Sequence, residues 1–102
     1  MKPFVDRVWM RSHEEEKGDV RVYRPDDFPF PPARGREGLS FHRDGHLDYL
    51  VPGRGDRPTT EPGTWRSDPA NPDRLTAQVA GQTIGMRLRS VGDDVLRLTW
   101  MS

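Results

Sequence analysis

His42 and His46 are the side chains best placed for chemistry. They flank a candidate tight turn, Arg43-Asp44-Gly45, so the two imidazoles face each other across a hairpin, with Ser40 and Asp48 on the same face. Two imidazoles and a carboxylate at that spacing can hold a divalent metal or move a proton. This is the enzyme reading: a small enzyme using His42, His46 and Asp48 for acid–base or metal-assisted chemistry. Nothing beside Ser40, His42 and Asp48 supplies an oxyanion hole, so nucleophilic catalysis is not indicated. A histidine pair beside a turn is more often simply solvated, and on that ground no metal and no cofactor are expected.

A second constellation points to binding. Tyr23, Arg24, Phe28, Phe30, Arg34 and Arg36, with Arg21 close by, lie in and around a Pro-rich segment. Guanidinium groups beside aromatic rings suit a carboxylate, a phosphate or a peptide. The plainer alternative has Phe28 and Phe30 capping one end of the fold while the arginines tie the segment down. Arg87, Arg89 and Arg97 fall on one polar face, with Arg89 expected opposite Arg97. Like charges so placed need carboxylate neighbours or an anion. Glu14-Glu15-Glu16 beside His13 reads as a solvated turn. Arg54-Gly55-Asp56 matches an adhesion tripeptide by chance, and Gly53-x-Gly55 lacks the strand-then-helix setting of a phosphate loop.

The elements that must hold these residues are strands. Turn signals at Asp44-Gly45, Gly81-Gln82 and Gly92-Asp93-Asp94 separate short segments of alternating apolar and polar residues. Looping out residues 43–45 pairs Phe41 with Leu47 and Leu39 with Tyr49. A two-residue Gly81-Gln82 turn pairs Val79 with Ile84, Ala77 with Met86 and Leu75 with Leu88. Looping out 92–94 pairs Leu88 with Leu98 and Met86 with Trp100. Leu75, Ala77, Val79, Ile84, Met86, Leu88, Leu98 and Trp100 then form one apolar face. Gly63-Thr64-Trp65 starts a further strand with Trp65 inward. Residues 4–12 fit a helix or a strand, and the β character downstream favours the strand. A short strand follows at Val20–Tyr23. Long loops are expected at 24–37, 52–62 and 68–73. The fold class is therefore all-β: residues 1–102 form one antiparallel up-and-down barrel, or strongly curled meander, of about seven to eight strands.

Composition bounds the function. At 102 residues this is one domain, and its 32% apolar content gives a thin core. Sixteen basic residues, 14 of them Arg, balance sixteen acidic ones, so no net field draws nucleic acid or a membrane surface. There is no Cys, hence no disulfide framework. Met-Lys-Pro-Phe-Val-Asp has no apolar signal region, which predicts a cytoplasmic protein.

The strand containing Trp9, together with F-H-R-D-G-H (41–46), G-T-W (63–65) and V-G-D-D-V-L-R-L (91–98), resembles short lipocalin-like bacterial domains. W-M-R-S-H-E-E (9–15), V-Y-R-P (22–25) and F-P-P-A-R-G-R-E-G (30–38) resemble a family of small bacterial proteins without an assigned activity. The resemblance implies a calycin-type barrel and carries over no catalytic residue. No complete catalytic set is visible, so a binding or accessory module leads the enzyme reading. Its partner would be a small anionic ligand or a protein, engaged by a monomer or small homo-oligomer through the Arg/aromatic loop.

Overall fold

A computed structural model describes residues 4–32, 36–51 and 59–101. Arg34 and the Arg54-Gly55-Asp56 tripeptide lie outside the described residues. Eight strands form a closed antiparallel barrel: β1 (Val8–Arg11), β2 (Val20–Pro25), β3 (Gly38–Phe41), β4 (His46–Val51), β5 (Thr59–Ser67), β6 (Arg74–Val79), β7 (Gln82–Val91) and β8 (Leu96–Met101). The strand order is β1-β2-β8-β7-β6-β5-β4-β3, and β3 returns to β1 to close the ring. Closure leaves no edge strand among the described residues, and eight strands enclose an interior that side chains can fill.

Alternation decides what fills it. Inward positions carry Trp9, Tyr23, Leu39, Phe41, Leu47, Trp65, Leu75, Ala77, Met86, Leu96 and Leu98, all buried. Ile84, Leu88 and Trp100 pack against this core while partly exposed. The expected apolar face is thus present. One end of the barrel is plugged by Phe4, Phe41 and Trp65, whose rings meet edge to face with centroids 5.3–5.7 Å apart. Trp9 and Trp65 donate their indole N–H groups to the carbonyls of Phe4 and His42, so both polar tips are satisfied inside.

The first hairpin has the expected register, with Leu39 opposite Tyr49 and Phe41 opposite Leu47. Gly45 takes φ +96°, the left-handed position that closes the loop. The second hairpin differs. Its turn is Ala80-Gly81, with φ +53° and +76°, and the ladder pairs Val79 with Gln82, Ala77 with Ile84 and Leu75 with Met86. Two successive positive-φ residues make the primed turn that matches strand twist, so Gly belongs second in the turn, not first. The slip is two residues, which leaves every side chain on its expected face.

The third hairpin keeps Leu88 opposite Leu98 and Met86 opposite Trp100, but an irregularity between Leu88 and Ser90 changes the outer face. Ser90, not Arg89, lies opposite Arg97 and accepts its hydrogen bond, while Arg89 bonds Thr99. The expected Arg89–Arg97 confrontation does not occur, because the extra residue carries Arg89 past it.

Three boundaries also move. The N-terminal strand is confined to Val8–Arg11, with an isolated parallel bridge from Val5 to Phe41 ahead of it. Asp6 at φ +59° breaks the extended run between them. The loop expected over 52–62 ends early, since Thr59–Pro62 already pair with β4. Trp65 donates its N–H to Gly45, so by alternation the nitrogen of Pro62 faces the other way. Pairing on that side begins only at Gly63, and the missing N–H breaks no ladder bond. Gly63 is required there: a Cβ would collide with the carbonyl of Gln78. The 68–73 loop lies where expected, while the loop expected over 24–37 starts late, because Arg24 and Pro25 still pair with β1 as the end of β2.

Candidate functional site

Opposite the aromatic plug, the barrel interior turns polar. Arg11 follows Trp9 by two residues on β1, Arg21 precedes Tyr23 by two on β2, and Glu37 precedes Leu39 by two at the entry to β3. Each therefore projects to the same side as a core residue. Their meeting point is the Glu37 carboxylate. Oε1 accepts from Arg21 Nη1 at 2.6 Å, Arg11 Nη1 at 3.1 Å and the Tyr23 hydroxyl at 3.1 Å. Oε2 accepts from the Tyr49 hydroxyl at 2.9 Å. Donors from three strands thus converge on a side chain that keeps 13% of its surface exposed.

The aromatic wall of this cluster is Trp100. The Arg21 guanidinium lies 3.7 Å from its ring centroid, and the Tyr49 ring lies 6.1 Å away. A cation over an indole face gains from the ring quadrupole, more so where water is thinned. Trp100 Nε1 is buried and has no hydrogen-bond partner among the described residues, unlike the other two indoles. Burial and then the Glu37 charge push the Tyr23 phenol up, and burial, then the hydrogen bond to Glu37 and its charge, push Tyr49 up to about 12. Both phenols are held as donors. Glu61, half-buried, sits opposite Tyr49 in the ladder and so shares its inward side.

Arg11 links this interior cluster to an outer belt. Its Nε and Nη2 clasp Glu16 at 2.7 and 2.8 Å. The neighbouring glutamates do the same on the outer surface: Glu15 binds Arg24 through two nitrogens, and Glu14 binds Arg36 through two. The run Glu14–Glu16 is therefore an ion-pair belt, not a solvated turn. A 3-10 turn, His13–Glu15, aims successive carboxylates at arginines from different elements. Hydrogen bonding from Arg36 holds the exposed Glu14 carboxyl at about 2, and hydrogen bonding from Arg24, then Ser12, does the same for Glu15.

The belt changes the standing of the Arg/aromatic loop. Arg24 stacks on Phe28 and Arg36 on Phe30, with the two phenyl rings 5.0 Å apart. Arg36 also donates to the carbonyls of Arg11 and Pro31. Arg24 and Arg36 tie down the described part of the loop as the plainer alternative has it, although its rings lie on the barrel's flank and the end is capped by Phe4 instead. Tyr23 parts from this group altogether, because alternation turns it inward while Arg24 turns outward.

His42 and His46 engage different carboxylates. His42 Nε2 lies 2.8 Å from Asp48, and His46 Nδ1 lies 2.8 Å from Asp44. Among the described residues no three His, Cys, Asp or Glu side chains gather as a metal site. Arg87 meets Asp73 at 3.2 Å. An open recess of about 380 Å³ lined by Gly63, Thr64, Gln78, Gly81, Gln82 and Thr83 presents no charged group. No helix among the described residues is long and apolar enough to cross a membrane.

Sequence reasoning missed Arg11, Glu37, Tyr49 and Trp100 as a site; it set Arg21 beside Tyr23, its neighbour at Glu37, but also with the loop residues Arg24, Phe28, Phe30, Arg34 and Arg36. The signal was parity: a charged residue two positions from a core residue on β1, on β2 and just ahead of β3. The class defined by fold and geometry is a small closed antiparallel β-barrel, consistent with a lipocalin-like barrel and compatible with a binding module. No protein-family model, curated protein or solved structure matches the chain.

Proposed function

We propose that this barrel is a binding module for a small anionic ligand, taken at the polar end of its interior. The observation that carries the reading is the convergence of Arg11, Arg21, Tyr23 and Tyr49 on one point beside Trp100. Burying several charges is costly, and an apolar layer would stabilise the barrel as well or better. A binding role accounts for the expense. The outer arginines suit the task less well, since Arg24 and Arg36 are each clasped by a glutamate. Arg21 gives one hydrogen bond to a carboxylate where Arg11 gives three, so it has donors to offer. It also keeps 25% of its side chain exposed.

The test is a native mass spectrum of gently purified protein, with the Trp100 indole N–H followed by NMR during titration with small organic and inorganic anions. The expected result is an anion that co-purifies or saturably shifts that resonance, with both effects lost in Arg21→Ala. No anion moving Trp100 in the folded wild-type protein would overturn the proposal.

A further inference from the structure

We infer that Glu37 is a built-in occupant of a carboxylate receptor, and that the ligand is a small organic acid whose carboxylate takes its place. The inference rests on the binding-module reading above and names the ligand class for the same site. The donor layout is the argument. Three donors reach one oxygen of Glu37 and a fourth reaches the other, so the receptor is shaped to two coplanar oxygens on one carbon. A tetrahedral phosphate would present a third oxygen that this layout does not address. Glu61, on the same inward side opposite Tyr49, adds a negative charge that opposes a dianion more than a monoanion.

Position makes exchange feasible. Glu37 stands at the entry to β3, outside the ladder that begins at Gly38, so its side chain can leave without breaking a strand pairing. Its main chain stays anchored by the Arg11 N–H bonded to its carbonyl. What exchange would gain is also on view. Trp100 Nε1 is a buried donor with no acceptor among the described residues, and an unpaired buried donor carries a desolvation penalty. Glu37 does not satisfy it. A free acid placed against Arg21, and carrying a further acceptor such as a hydroxyl or oxo group, can.

The experiment removes the occupant. Glu37→Ala should leave the four donors facing a cavity the size of a small carboxylate, so acetate and formate should restore thermal stability and shift the Trp100 indole N–H. Acetate should bind the variant at least tenfold more tightly than wild type, because wild type must first expel Glu37. Phosphate and sulfate at matched ionic strength should do neither. If Glu37→Ala is unfolded, its refolding by acetate is the readout, and a failure to refold counts against the inference. Glu37→Gln keeps the site filled and should respond to acetate no better than wild type. Equal acetate affinity in wild type and Glu37→Ala, or equal rescue by phosphate, would overturn the exchange. An anion that shifts Trp100 in wild type regardless of Glu37 would leave the binding module standing and sink this inference alone.

Discussion

Tyr49→Phe isolates one bond of the interior cluster. The hydroxyl supplies the hydrogen bond that reaches Oε2 of Glu37, at 2.9 Å. A hydrogen bond to a charged group contributes about 1.5–3 kcal/mol. Both partners retain some contact with water, so the lower value applies: about 1.5 kcal/mol, or a fall in Tm of about 6 °C for a domain of this size. Glu37→Gln replaces the carboxylate with an amide that turns its oxygen toward the two arginines and its NH2 toward Tyr49. The phenol then loses a charged acceptor, and Tyr49→Phe in that background should cost about 0.5 kcal/mol. The double-mutant cycle therefore predicts a coupling of about 1 kcal/mol, measured by urea unfolding followed through intrinsic fluorescence. Additive single effects, within about 0.3 kcal/mol, would show that Tyr49 bonds water and not Glu37, and would remove one wall of the proposed receptor.

Leu98→Ala should cost about 2–5 kcal/mol through lost transfer energy and a cavity, because Leu98 is fully buried between β2 and β7. Arg97→Ala, one residue away on the outer face, should cost less than about 1 kcal/mol; equal losses in the same unfolding assay would invalidate the inward parity of β8. Acid should unpick the ion-pair belt. Glu14 and Glu15 have carboxyls held at about 2 in the fold against about 4.3 unfolded, so the stability they contribute is complete above about pH 4.5 and lost as pH falls toward 2. A Glu14→Gln, Glu15→Gln variant should lose Tm less steeply than wild type across that window, and parallel melting profiles would refute the pairing.

The barrel was readable because its inside and outside differ by parity, and parity survives errors that register does not. Matching apolar residues across the Gly81 turn cannot tell one pairing from another shifted by two, since both place Leu75, Ala77, Ile84 and Met86 inward. Only the backbone requirement of a primed turn selects Ala80-Gly81. The outer-face error at Arg89 has the same character: an extra residue in one strand changes neighbours without altering composition. The polar cluster was harder, and for a different reason. Arg11, Arg21 and Glu37 occupy inward positions, where charged residues are rare unless paired. Read singly, each belongs to solvent, and opposite charges close by along the chain, Glu14 for Arg11, Asp19 for Arg21 and Arg36 for Glu37, supply a sufficient local explanation. The pairing that permits their burial exists only after closure, when β1 lies between β2 and β3 and the three charges share one layer with Tyr23 and Tyr49. Single-strand alternation names an inward arginine as an exception, and ring closure gives the exception its partner. Three such exceptions in one layer, on β1, on β2 and at the entry to β3, are what distinguish a paired interior cluster from scattered surface charge.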